Sequence, residues 1–242
     1  MRQNRNAPKG KLGELKDVQF LTDQVYDILK DAILSLSLAP GERLIESKLA
    51  KQLGTSATPV RGALARLKHD NLVEIVPFKG AHVSKLDNHE VDEIFEIRIL
   101  METAMIRKFA HSISAKAVKE GEALLEAMRQ AYKSGDMQSF LQPSRDFHYL
   151  FIKKYRNQRM IDILHAFEAN LERVRVTAIR DLTNVPQLIK DYEDILETLR
   201  AGAADEAEKA LKIHLERTRD IFQRARGTRV TSQQRQNTRG TG

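Results

Sequence analysis

Within Glu46–Leu72, ESKLAKQLGTSATPVRGALARLKHDNL, two cations occupy positions that matter chemically. On a helix, Val60, Ala63, Leu64 and Leu67 share an apolar face, whereas Arg61, Ala65 and Lys68 lie on another. Guanidinium and ammonium groups on the outer face of a short helix suit hydrogen bonding to phosphates and base edges. That is binding chemistry rather than catalysis. Thr58 followed by Pro59 predicts the start of this helix: a hydroxyl N-cap, then the residue whose missing N–H costs nothing at the first helical position.

Catalytic constellations are missing by contrast. The chain has no cysteine, which excludes disulfides, thiolate metal ligands and thiol nucleophiles. It carries no glycine-rich phosphate loop, no GxSxG and no HExxH. Of the seven histidines, five have no ligand spacing, and His148 and His214 read from the residues alone as core histidines.

The elements around the two cations form a recognisable unit. Leu49, Ala50 and Leu53 stripe a first short helix, Gly54 ends it, and the Arg61 helix follows, which is a helix-turn-helix pattern. Upstream, a helix is expected from Thr22 to about Ser37 with Val25, Ile28, Leu29, Ala32, Ile33 and Leu36 inside. Thr22 would cap it and Asp23 would face the positive end of its dipole. Downstream, Val73–Val76 alternates like a strand, Pro77–Gly80 turns, and Ala81–Ser84 returns. A lone hairpin is marginal, so it must pack on the three helices. Lys79 and Gly80 at its tip are placed for close approach to a DNA backbone.

From Asn88 onward every periodicity is helical. Helices are expected over Glu90 to about Ala110, Ser114 to Ser134 closed by Gly135, and Asp136 to about Tyr155, with Pro143 delaying or kinking the start of the last. A single long helix from Gln158 to about Leu182, one from Val185 to Arg200 closed by Gly202, and one from about Ala203 to Arg226 complete the series. The expected fold is mostly α: an N-terminal winged helix-turn-helix of three helices plus a β-hairpin, followed by an all-α antiparallel helical bundle. Its expected divisions are a flexible arm 1–17, a DNA-binding domain 18–86, a helical domain 87–226 and a disordered tail 227–242.

Charge follows the same division. Residues 1–86 hold 14 Lys/Arg against 9 Asp/Glu, residues 87–226 hold 23 against 24, and the last 16 residues add 3 arginines and no acid. The positive excess therefore sits with the helix-turn-helix and the tails, as counterion release from DNA requires. No apolar run reaches the roughly 18 residues of a membrane span and no secretory signal opens the chain, so a cytoplasmic location is expected.

PGERL, LA-x-x-LG, TPVR and LVEIVP, in that order, resemble the winged-helix domain of the GntR family of bacterial transcription regulators. FEIRILME at 95–102, DFHYLF at 146–151 and EAEKALKIHLE at 206–216 resemble the all-helical effector domain, FCD, of the FadR-type subfamily. The resemblance covers roughly residues 20–225. It implies a homodimeric, ligand-responsive regulator, a repressor by expectation, bound to a pseudo-palindromic operator in double-stranded DNA. Thr58, Arg61 and Gly80 match the family's contact positions. Ala57 and Gly62 depart from the usual Arg and Glu, implying fewer base contacts, with Gly62 costing about 1 kcal/mol of helix propensity unless close approach to DNA repays it.

For the helical domain the resemblance implies a pocket for a small effector, expected to be a carboxylate. The subfamily's Asp and three His, which bind a divalent metal, correspond here to Ser144, His148, Tyr192 and His214. Two imidazoles without a carboxylate make a poor metal site, so a metal-free pocket is expected, with Zn or Ni on His148 and His214 as the alternative. Arg98 corresponds to a position that reaches the pocket, where it would pair with a ligand carboxylate; the alternative is a surface or interface salt bridge. The competing readings are a helical-bundle enzyme and a metal-dependent sensor with an appended DNA-binding domain. A DNA-packaging protein is a further one.

Overall fold

Two clusters of buried side chains with no member in common organise the chain. The computed structural model describes the backbone of residues 16–237 and the side chains of residues 20–225, so most of the expected arm, 1–17, lies outside the described residues. The first cluster runs from Val25 to Val83. It joins helices α1 (Lys16–Leu34), α2 (Glu46–Gln52) and α3 (Ala57–His69) to strands β1 (Arg43–Leu44), β2 (Val73–Val76) and β3 (Gly80–Val83). Val60, Ala63, Leu64 and Leu67 of α3 are all buried in it, as their spacing predicts.

The wing is a three-stranded antiparallel sheet in the order β1-β3-β2, with Arg43 opposite His82 on one side and Glu74 opposite His82 on the other. Strand β1 is too short for alternation to reveal it. It forms because the Gly41 N–H donates to the Val83 carbonyl at 2.8 Å and the Val83 N–H to the Glu42 carbonyl at 2.9 Å. That pairing covers one edge of the hairpin.

Two helix starts differ from expectation. Helix α1 begins at Lys16, so Thr22 and Asp23 lie inside it, and Asp23 ion-pairs with Arg66 of α3 instead of meeting a helix dipole. Leu36, at φ 62°, turns the chain just after α1 ends. Helix α3 takes Ser56 rather than Thr58 as its N-cap, because Pro59 is accommodated anywhere in a first turn whose N–H groups have no helical partner.

The second cluster runs from Leu86, expected to close the first domain, to Phe222. It is built by α4 (Asn88–Ala110), α5 (Ala115–Ser134), α6 (Gln138–Ile152), α7 (Gln158–Ala166), α8 (Glu168–Arg180), α9 (Val185–Arg200) and α10 (Ala204–Asn237), with a 3-10 turn at Leu182–Asn184. Asp87 Oδ1 accepts the Glu90 N–H at 2.8 Å and Ser114 Oγ the Ala117 N–H at 3.2 Å, capping α4 and α5. Helix α6 runs through Pro143.

The long helix expected over Gln158–Leu182 is two helices. The break at Phe167 has no glycine or proline to announce it; the chain tightens locally, with the Phe167 N–H bonded to the Leu164 carbonyl. Helix α10 continues past Arg226 through part of the expected disordered tail, in a proline-free run rich in helix-compatible Gln and Arg. Ile28, expected inside, is 51% exposed on α1, and Leu100 of α4 is 68% exposed. No described helix is long and apolar enough to cross a membrane.

Candidate functional site

Thr58, Arg61, Ala65 and Lys68 form one exposed stripe along α3. Lys79 and Gly80 are exposed at the β2–β3 turn, where Gly80 has φ 86°, a conformation that strains a side-chain-bearing residue. Phe78, at φ 62°, stands wholly exposed beside them. Nothing in the alternation of the hairpin singles Phe78 out, since a turn residue has no required face.

Arg61 is engaged in the free protein: its Nη2 donates to Glu46 Oε2 at 2.8 Å, tying α3 to the first turn of α2. Arg66 is committed elsewhere. It ion-pairs with Asp23 and stacks 4.2 Å over the Tyr26 ring, whose hydroxyl donates to Asp70. Gly62 does not sit where DNA approach would explain it. A Cβ built there would come 3.0 Å from Thr22 Cγ2, so the missing side chain lets α3 lie close on α1.

In the helical domain, Arg98 of α4, Ser144 and His148 of α6, Tyr192 of α9 and His214 of α10 line one buried cavity of about 20 Å³. Arg175, Ala178 and Ile179 of α8 complete a wall with Phe140 and Leu188. The sequence missed both Arg175 and Glu102. Arg98 Nε donates to Glu102 Oε1 at 2.6 Å, and Glu102 Oε2 lies 2.8 Å from His148 Nδ1; all three residues are buried. The salt bridge of Arg98 is buried inside the bundle, not at a surface or interface as expected. The signal was present in the i,i+4 spacing of Arg98 and Glu102, on the same face as Met105 and Phe109.

Burial pushes the Glu102 carboxyl up, but Arg98 and His148 outweigh it and hold the group down, to about 2. Burial likewise lowers His148, to about 4, against the opposing pull of Glu102, and lowers His214 despite Asp191. Both imidazoles are therefore neutral at pH 7. An ionised carboxylate only accepts, so His148 carries its proton on Nδ1 and turns a lone pair at Nε2 toward Tyr192 OH, 3.4 Å away. His214 Nδ1 lies 3.5 Å from Asp191 Oδ2 but makes no hydrogen bond there, and it is buried without a partner among the described residues. Burial raises Tyr192 to about 12, keeping it a hydroxyl.

The donor set does not fit a divalent metal. Glu102 is occupied by Arg98 and His148; Asp191 is occupied by Arg217 and Gln187. The Ser144 hydroxyl donates to the Leu141 carbonyl at 3.1 Å. Two neutral imidazoles remain, without a carboxylate.

Helix α8 touches both domains. Arg175 Nη1 reaches Glu168 at 2.7 Å and Glu172 at 2.9 Å, Ala169 packs on the first cluster, and Arg173 Nη2 donates to the Ser84 carbonyl just beyond β3 at 2.7 Å. A cleft of about 940 Å³ opens between the domains, lined by Tyr26 and Lys30 of α1, His69 and Asp70, and Arg145, His165, Glu168 and Glu172. It is larger than the buried cavity.

Comparison with known proteins decides the family. The model of the bacterial regulatory proteins of the gntR family matches residues 21–83, and that of the FCD domain matches residues 93–217. The chain belongs to the GntR family. It is a transcription regulator of the GntR/FCD type. Among GntR relatives it is similar to the HTH-type transcriptional repressor RspR of Escherichia coli K12, 27% identical over 203 residues, which is 84% of this chain and 89% of RspR. It is also similar to the HTH-type transcriptional regulator McbR of the same strain, 36% identical over 135 residues, 56% of this chain and 61% of McbR. The solved structure of E. coli McbR/YncC superposes with a TM-score of 0.69 at 26% identity, covering 84% of this chain and 96% of that one.

Proposed function

We propose that this regulator binds a pseudo-palindromic operator as a homodimer, acts as a repressor, and changes its DNA affinity when a small molecule enters the cavity around His148 and His214. Thr58, Arg61 and Lys68 would face the major groove, with Lys79 and Gly80 on the adjacent backbone. The observation that carries the reading is helix α8. The same thirteen residues line the cavity through Arg175, Ala178 and Ile179 and bind the DNA-binding domain through Ala169 and Arg173. A ligand that shifts α8 therefore acts on the wing without an intermediary.

The homodimer draws support from α4 and α10, which pack together and leave Leu100 68% and Ile213 52% exposed. A two-fold axis would bury such a patch against its own copy. Light scattering should give twice the 27.6 kDa chain mass, falling to 27.6 kDa for Leu100→Glu. DNA binding is tested by fluorescence anisotropy on the region upstream of its own gene. Affinity falling steeply with salt supports the reading; salt-independent or absent binding sinks it.

A further inference from the structure

Resting on the effector-cavity reading, we infer that Glu102 makes this cavity reject carboxylate ligands and select a small neutral molecule bearing hydroxyl groups. Every cation facing the cavity already has an anion of the chain's own. Arg98 is matched by Glu102, and Arg175 by Glu168 and Glu172, so two guanidiniums stand against three carboxylates. A ligand carboxylate would be desolvated near the fixed charge of Glu102, which stands directly behind the lining groups Arg98 and His148, with no unmatched cation to receive it.

The neutral groups point the same way. With its Nδ1–H directed at Glu102, His148 keeps Nε2 as an acceptor beside Tyr192 OH, and the buried Nδ1 of His214, whose ring centroid lies 5.4 Å from that of His148, has no hydrogen-bond partner among the described residues. An acceptor nitrogen receives a hydroxyl proton and repels a carboxylate oxygen. Tyr192 OH has only long contacts, 3.4 Å to His148 Nε2 and 3.5 Å to the Ser144 carbonyl, and is free to shorten onto a ligand. Arg98 uses only Nε in hydrogen bonds among the described residues, so its Nη groups remain as donors to a hydroxyl oxygen. Hydroxyl groups, which both donate and accept, match this set.

The test compares Glu102→Gln, which keeps the shape and removes the charge, with the wild type. Binding of acetate is read by calorimetry and thermal shift against sodium chloride at equal ionic strength. The variant should bind acetate at least about tenfold more tightly than the wild type. Equal acetate binding by the two proteins, lost in His148→Ala, overturns the inference. Should Glu102→Gln fail to fold, nitrogen-15 NMR of wild-type His148 decides. A proton-bearing Nδ1 is expected at pH 7, and a proton-bearing Nε2 overturns the inference. A screen of polyols and organic acids for release from DNA separates the two levels. Polyol hits support the inference, and acid hits dependent on His148 defeat it while the cavity reading stands. No hit in either set defeats the cavity reading itself.

Discussion

Arg173 on α8 donates from Nη2 to the Ser84 carbonyl across 2.7 Å, so a helix of the bundle grips the chain where it leaves the wing. A buried charged donor on a backbone carbonyl is worth about 1.5–3 kcal/mol. Arg173→Ala should lower the unfolding free energy by that order in urea titration and speed amide exchange along β3. Unchanged exchange at Ala81–Val83 would show that the wing does not depend on this grip.

Acidification should weaken the fold before it reaches the carboxylate range. His148 titrates at about 4 folded against an ordinary 6.5, so below 6.5 the unfolded chain binds a proton that the native state refuses. The stability present above pH 6.5 is lost as pH falls toward about 4, by roughly 3 kcal/mol for this group. Glu102, held at about 2, adds a second loss of the same sign below its ordinary 4.5. Urea midpoints measured between pH 7 and 4.5 should fall steadily in the wild type and more gently in His148→Gln.

Gly62→Ala should fail to deliver its helix-propensity gain of about 1 kcal/mol, because the new methyl meets Thr22 at 3.0 Å. Shortening Thr22 to alanine gives the methyl room. In a double-mutant cycle by chemical denaturation, Gly62→Ala should be more favourable in the Thr22→Ala background by about 1 kcal/mol. Zero coupling would mean that the α1–α3 spacing does not depend on the glycine.

Arg61 must leave Glu46 to reach DNA. Glu46→Gln should therefore raise operator affinity about two- to fivefold, the range of an exposed ion pair, whereas Arg61→Ala lowers it. Lys68→Ala should weaken binding to all sequences alike and reduce the salt slope by about 1. Anisotropy titrations at several salt concentrations separate the three effects.

The winged helix was legible because each of its elements carries its own mark: periodicity in α3, Gly54 after α2, alternation in β2. Strand β1 carries none, since two residues cannot alternate and its pairing depends on Val83, far along the chain. The cavity was half legible. The family pattern leads to Ser144, His148, Tyr192 and His214, which the fold brings to one wall. Glu102 and Arg175 look in sequence like ordinary charged positions on amphipathic helices. Their importance arises from burial and from partners on other elements, which no local spacing fixes. The break at Phe167 was hidden for a similar reason, as both sides of it are helix-compatible.

A cavity of about 20 Å³ has room for roughly one water molecule. Any larger guest meets the protein only in a form whose walls have parted, so its apparent affinity is the intrinsic affinity scaled by the fraction of time spent open. If the proposed effector enters here, the apolar lining residues Phe140 and Leu188 would set the dose at which the regulator responds. Trimming either side chain would retune the switch without altering what it recognises.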